Sequence, residues 1–118
     1  MAEENFKYIN LDYIKSMAGD NEELIREMAE IFVSQIPEFN EIFDSLYEKG
    51  DWLNLGMQAH KAKSSVAIMG MDDLAAMLKE FELLAKESKS PEKYPDFISR
   101  FREETGHAVE ELKEHFSL

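Results

Sequence analysis

His60 is flanked by Lys61 and Lys63, and the run Ala59-His60-Lys61-Ala62-Lys63-Ser64-Ser65 is closed by Gly70. From Trp52 to Met71 there is no Asp and no Glu, although the chain holds 25 acids against 13 Lys and Arg. An acidic protein thus carries one locally positive spot with an imidazole in its middle. Imidazole is a nucleophile with an ordinary pKa near neutrality, and an ammonium one turn away favours negative charge beside it. Together they suit the holding of a transferred anion.

The element that must position this group is a helix. Leu55, Ala59, Ala62, Val66 and Met69 follow steps of three and four, one face of an α-helix. At roughly 100° per residue, His60 points about 130° from the centre of that stripe, toward solvent or the rim of the core. Gly56, Ser64 and Ala67 share the face of His60 and are all small, so another protein's surface can approach closely. Leu53, Met57, Ile68 and Met71 surround this patch and would form an apolar docking rim. Lys63 stands where its ammonium reaches a phosphoryl group on the ring, while Lys61, on the outer side, would steer or contact a partner. Blander readings compete. A lone helical His is commonly an ordinary surface residue. Leu53 and Ile68 would serve equally as core, because each helix of a bundle touches two neighbours. Gly56 and Ala67 would also be small wherever two helices pack closely. Composition and spacing suggest a site without fixing its function.

The segment resembles the histidine-containing phosphotransfer (HPt) domain family. That pattern is His, any residue, an apolar residue, Lys, Gly or Ser, Ser, then Gly ten residues after the His. His60, Ala62, Lys63, Ser64, Ser65 and Gly70 stand in those places. Gly19-Asp20, Phe32, Pro37 and Asp51-Trp52 upstream, and Leu74, Leu78 and Phe81-Glu82 downstream, are also similar to the family. Many members have Gly where Ser64 stands; Ser is still small, narrows access slightly and adds a hydroxyl near the ring.

The resemblance implies a phosphorelay carrier in two-component signal transduction. A receiver domain of a response regulator or hybrid histidine kinase would pass its phosphoryl group to His60, and a second receiver would take it. Lys63 would stabilise the phosphoryl oxygens and Ser64 would add a hydrogen bond. The receiver would bring the metal ion, so this chain is expected to need no cofactor and no metal of its own. It has no phosphate-binding glycine loop, and no ATP site is expected. The alternative is an HPt-like binding module that docks and sequesters receivers or a histidine kinase without carrying phosphate.

With 118 residues, 44% of them hydrophobic, the chain fits one domain over 1–118 with a single core. A net charge of −12 disfavours nucleic acid and anionic lipid as partners and favours a basic rim on a partner protein. There is no Cys, hence no disulfide framework and no thiolate metal site. Met1-Ala2-Glu3-Glu4 lacks the basic and apolar regions of a signal peptide, and no apolar run approaches about 18 residues, so a cytoplasmic monomer is expected.

In chain order, the polar start is expected to fray, with Phe6, Tyr8 and Ile9 able to pack down. Asn10 caps a short helix whose Leu11, Ile14 and Met17 share a face, and Ala18-Gly19 stops it. Asp20 is expected to cap a long helix, with Glu23 in the capping-box position. Leu24, Met28, Ile31, Phe32, Ile36, Phe39, Ile42, Phe43 and Leu46 keep its period past Pro37 to Gly50, which favours one bent helix. Asp51 caps the histidine helix, and Asp72 the next, with Leu74, Met77, Leu78, Phe81, Leu84 and Ala85 buried. A last helix starts between Pro91 and Asp96 and buries Phe97, Ile98, Phe101, Ala108, Val109, Leu112 and Phe116. The sum is an all-α antiparallel four-helix bundle with a short N-terminal helix. Glu104 and His107 have the Glu-x-x-His spacing of di-iron bundles, but those sites need a second such pair. His107 and His115 are therefore read as surface residues. Trp52 is read as packing at the bundle's end. A Ser-His-Asp catalytic set would need a buried acid behind His60; the acid-free stretch around it speaks against that, with an acid from another helix left open.

Overall fold

The periodic stretches become five α-helices in a computed structural model that describes residues 6–118. They are α1 (Leu11–Ala18), α2 (Glu22–Lys49), α3 (Trp52–Ile68), α4 (Asp72–Lys86) and α5 (Tyr94–Phe116), with a short 3₁₀ turn at Pro91–Lys93. No strand occurs among the described residues, and no helix there is long and apolar enough to cross a membrane. The polar start at residues 1–5 lies outside the described residues; after it, Ile9 is buried and Phe6 and Tyr8 pack against the core. α2 and α4 each pack on both α3 and α5, so the four long helices close a ring, and α1 lies against α2. The links from α2 to α3 and from α3 to α4 are so short that these helices run antiparallel.

The core stripe of α3 is the one the spacing predicts: Leu55, Ala59, Ala62, Val66 and Met69 are all buried. It faces an aromatic layer in which Phe43 meets Phe101 edge-on with ring centroids 5.2 Å apart. Each large side chain buried there contributes roughly 1.5–3 kcal/mol. Trp52 caps this layer at one end, 5.1 Å from the ring of Tyr94, whose hydroxyl donates to the Leu84 and Lys89 carbonyls. Glu111 ties the other end: its carboxylate accepts from the backbone N–H groups of Lys7, Tyr8 and Ile9 at 2.8–3.3 Å.

Several boundaries and faces differ from expectation. Gly19 and Asp20 both adopt left-handed backbone, so the α2 cap moves on to Asn21, whose side chain accepts from Leu24 N–H at 3.1 Å. α4 has Met71 at its cap position with no side-chain hydrogen bond, and Asp72 instead sits in the first turn beside the helix dipole. α2 continues through Pro37 as one helix. Its buried stripe is Ile25, Ala29, Phe32, Ile36, Phe39 and Phe43, whereas Leu24, Ile31 and Ile42 are exposed, as is Met17 on α1. Counting apolar residues alone merges two adjacent stripes of a helix, of which only one faces the core.

Candidate functional site

α3 owes its start to Asp51, whose side chain accepts from Asn54 N–H at 3.3 Å. Two turns on, His60 is exposed over 54% of its side chain, on the flank of α3 that meets α4. The acid behind it comes from α4. Nδ1 of His60 lies 3.1 Å from both Oε1 and Oε2 of Glu82, whose side chain is only 9% exposed. An ionised carboxylate only accepts hydrogen bonds, so Nδ1 is the protonated nitrogen of the neutral ring and Nε2 keeps its lone pair. Nε2 has no hydrogen-bond partner among the described residues.

Glu82 is shared by two cations as well. Lys86 Nζ donates to Oε2 at 2.7 Å, and Lys63 Nζ stands 3.8 Å from Oε1. Burial by itself would raise the Glu82 carboxyl; hydrogen bonds from Lys86 and His60, with the Lys86 charge, more than offset this and hold it below the ordinary carboxylate range. The cluster is therefore an imidazole with one nitrogen held by a buried anion and the other free to attack an electrophile. One ammonium is close to the anion and a second is more loosely held.

The other residues singled out from the sequence distribute around this ring unevenly. Leu53, Met57, Lys61, Ser64 and Ile68 are exposed on α3 and Ala67 is half-buried. The Ser64 hydroxyl donates to the His60 carbonyl at 3.4 Å. Met71, expected in the apolar rim, is in the core at 5% exposure, because the chain has turned at Gly70 and left the α3 helix. Gly56 is buried against the α4 backbone and offers no open surface; its smallness serves helix packing. A shallow groove between α2 and α3 runs past His60, lined by Gln35, Ile42, Lys61, Ser64 and Ser65. Ser65 donates to Gln35 Oε1 at 3.0 Å across it, and Ile31 and Ile68 line its continuation. The α2 side of this surface, Ile31 and Ile42, does not stand out in the sequence, because both keep the same helical period as the core residues Phe32 and Phe43. Glu82 was missed as a site residue, yet a signal existed: it lies between Leu78 and Ala85 on the buried face of α4, where an unpaired carboxylate is rare.

His107 and His115 lie elsewhere. His107 stacks on Tyr8 with ring centroids 4.9 Å apart, and His115 meets Phe6 edge-on at 5.1 Å. Glu104 pairs with Arg100, and no cluster of three or more His, Cys, Asp or Glu side chains able to hold a metal ion occurs among the described residues.

With that geometry established, comparison with known proteins adds one match: a family model described as Hpt domain covers residues 27–115. No curated protein and no solved structure matches the chain.

Proposed function

The chain belongs to the Hpt domain family, the histidine phosphotransfer domains of two-component signalling, and we propose that it is a phosphorelay carrier with His60 as the phosphoacceptor. A receiver domain bearing a phospho-aspartate docks over the α2–α3 surface. The Nε2 lone pair attacks phosphorus, the N–P bond forms, and the bond from phosphorus to the aspartyl oxygen breaks, releasing the receiver's carboxylate. The ring keeps its Nδ1–H and becomes cationic, and Glu82 stabilises that charge. A second receiver reverses the step on its own aspartate. The receivers supply the metal ion; this chain supplies nucleophile, electrostatics and docking surface.

The single observation that carries this reading is the Glu82 carboxylate behind Nδ1. A ring held at one nitrogen and open at the other is a prepared nucleophile, whereas a mere docking module has no use for it. Lys63 is assigned to the phosphoryl oxygens: its ammonium is held only loosely, at 3.8 Å, so a dianionic group on Nε2 competes well for it. Ser64 keeps the approach open and offers a hydroxyl from a long, weak bond. Leu53, Met57, Ala67 and Ile68 from α3, joined by Ile31 and Ile42 from α2, form the apolar part of the docking surface, with Lys61 at its edge. On a protein of net charge −12, a partner with basic residues around an apolar patch is favoured.

The test is incubation with a phosphorylated receiver domain. Acid-labile, base-stable phosphate should accumulate on the wild-type chain and be absent from His60→Gln; binding without any such phosphate would leave only the sequestering module.

A further inference from the structure

Gly56 lies one turn before His60 and directly against the stretch of α4 that carries Glu82. A Cβ at Gly56 would stand 2.8 Å from Lys86 Cγ, 3.0 Å from the Glu82 carbonyl oxygen and 3.1 Å from the Lys86 amide nitrogen. Two of these neighbours are backbone, so a methyl group could be admitted only by α4 moving back by a few tenths of an ångström and the Lys86 stem changing course. Both movements reach the site. The His60–Glu82 separations of 3.1 Å already lie near the long end of the roughly 2.7–3.2 Å range for N–H···O bonds. The Lys86 ammonium, 2.7 Å from Oε2, is the closest charged partner of the carboxylate.

We propose that Gly56 and Lys86 are positioning residues for His60: the missing side chain at Gly56 admits the Lys86 stem, and the Lys86 ammonium fixes the Glu82 carboxylate against Nδ1. The two lysines of the cluster then divide their work. Lys63 is free to follow an incoming anion, and Lys86 stays with Glu82. While Lys63 is drawn away, Glu82 keeps a counter-ion, so it does not take the Nδ1 proton that the ring needs. The value of this arrangement to transfer rests on the carrier reading, but its existence can be tested without any phosphoryl donor.

The measurement is the tautomer of neutral His60, read from its ring nitrogen shifts by NMR in the full chain. Wild type, Gly56→Ala and Lys86→Met are compared, with Glu82→Leu as the reference for an unheld ring. Wild type should show the single Nδ1–H form. Gly56→Ala and Lys86→Met should both move to a mixture in which the Nε2–H form appears, approaching Glu82→Leu. Lys86→Met keeps the aliphatic stem, so the result does not depend on Gly56→Ala folding well. A wild-type tautomer in either variant overturns the role of that residue, and a mixture already present in wild type overturns the whole assignment. Failure of His60 to accept phosphate from a receiver would strike the carrier reading alone and leave these spectra interpretable.

Discussion

His60 and His107 are exposed to similar degrees, 54% and 47% of the side chain, and each has a carboxylate near Nδ1. The carboxylates differ. Glu82, beside His60 at 3.1 Å, is 9% exposed and reached from another helix; Glu110, beside His107 at 3.9 Å, is 80% exposed and only one turn away on the same helix. A buried anion on a separate rigid element fixes a ring's orientation and tautomer, whereas a solvated one on a flexible side chain contributes little. His107 instead spends its ring face stacking on Tyr8, which helps to hold the N-terminal segment on α5. What distinguishes a functional histidine here is the company of its nitrogens, since exposure barely separates the two.

The contrast can be broken or sharpened by substitution. The largest effect is expected from His60→Gln, which should abolish phosphoryl acceptance from a receiver while lowering stability by no more than about 1 kcal/mol; His107→Gln should leave acceptance intact. Equal losses in both would erase the distinction. Glu82→Leu, which leaves no acceptor behind Nδ1, should slow transfer by on the order of tenfold to a hundredfold. That is less than the roughly 10⁴-fold a wrong tautomer costs a serine protease, because an unheld ring still presents a free Nε2 part of the time. Glu110→Gln should leave the rate unchanged. Ile42→Asp and Ile68→Asp should weaken receiver binding by about tenfold each, as loss of an apolar anchor does, while the reaction of His60 with a small phosphoramidate donor stays normal. Lys63→Ala should slow transfer by roughly three- to tenfold, the scale of one charge-assisted contact; an unchanged rate would remove its role.

The smallest effect concerns stability against pH. Because the folded Glu82 carboxyl sits below its ordinary value of 4.5, its contribution is complete above that value and is lost as pH falls through the lowered one. The unfolding free energies of wild type and Glu82→Gln should therefore differ by about 1 kcal/mol near neutrality and converge in acid. A difference that grows toward low pH would reverse the sign.

Much of this was legible in the sequence. The α3 stripe, the caps at Asn10 and Asp51, the stops at Gly19 and Gly50 and the packing role of Trp52 all follow from local chemistry, and the structure repeats them. So does the exposure of His60, which depends only on its angle from a well-marked apolar face. The failures share one cause: they depend on which neighbour a helix faces. Ile31 and Ile42 keep a helical period as well as Phe32 and Phe43 do, and only the placement of α3 and α5 decides which pair is covered. Gly56 looks like an open patch until α4 is laid against it. Glu82 lies 22 residues from His60 in sequence, and no local spacing joins them.

The most direct test is to identify the phosphorylated atom. After exposure to a phosphorylated receiver, the chain should carry its phosphoryl group on Nε2 of His60, seen as a single ³¹P resonance coupled to that nitrogen. A phosphoryl group on Nδ1, on His107 or His115, or on no histidine at all would contradict the account.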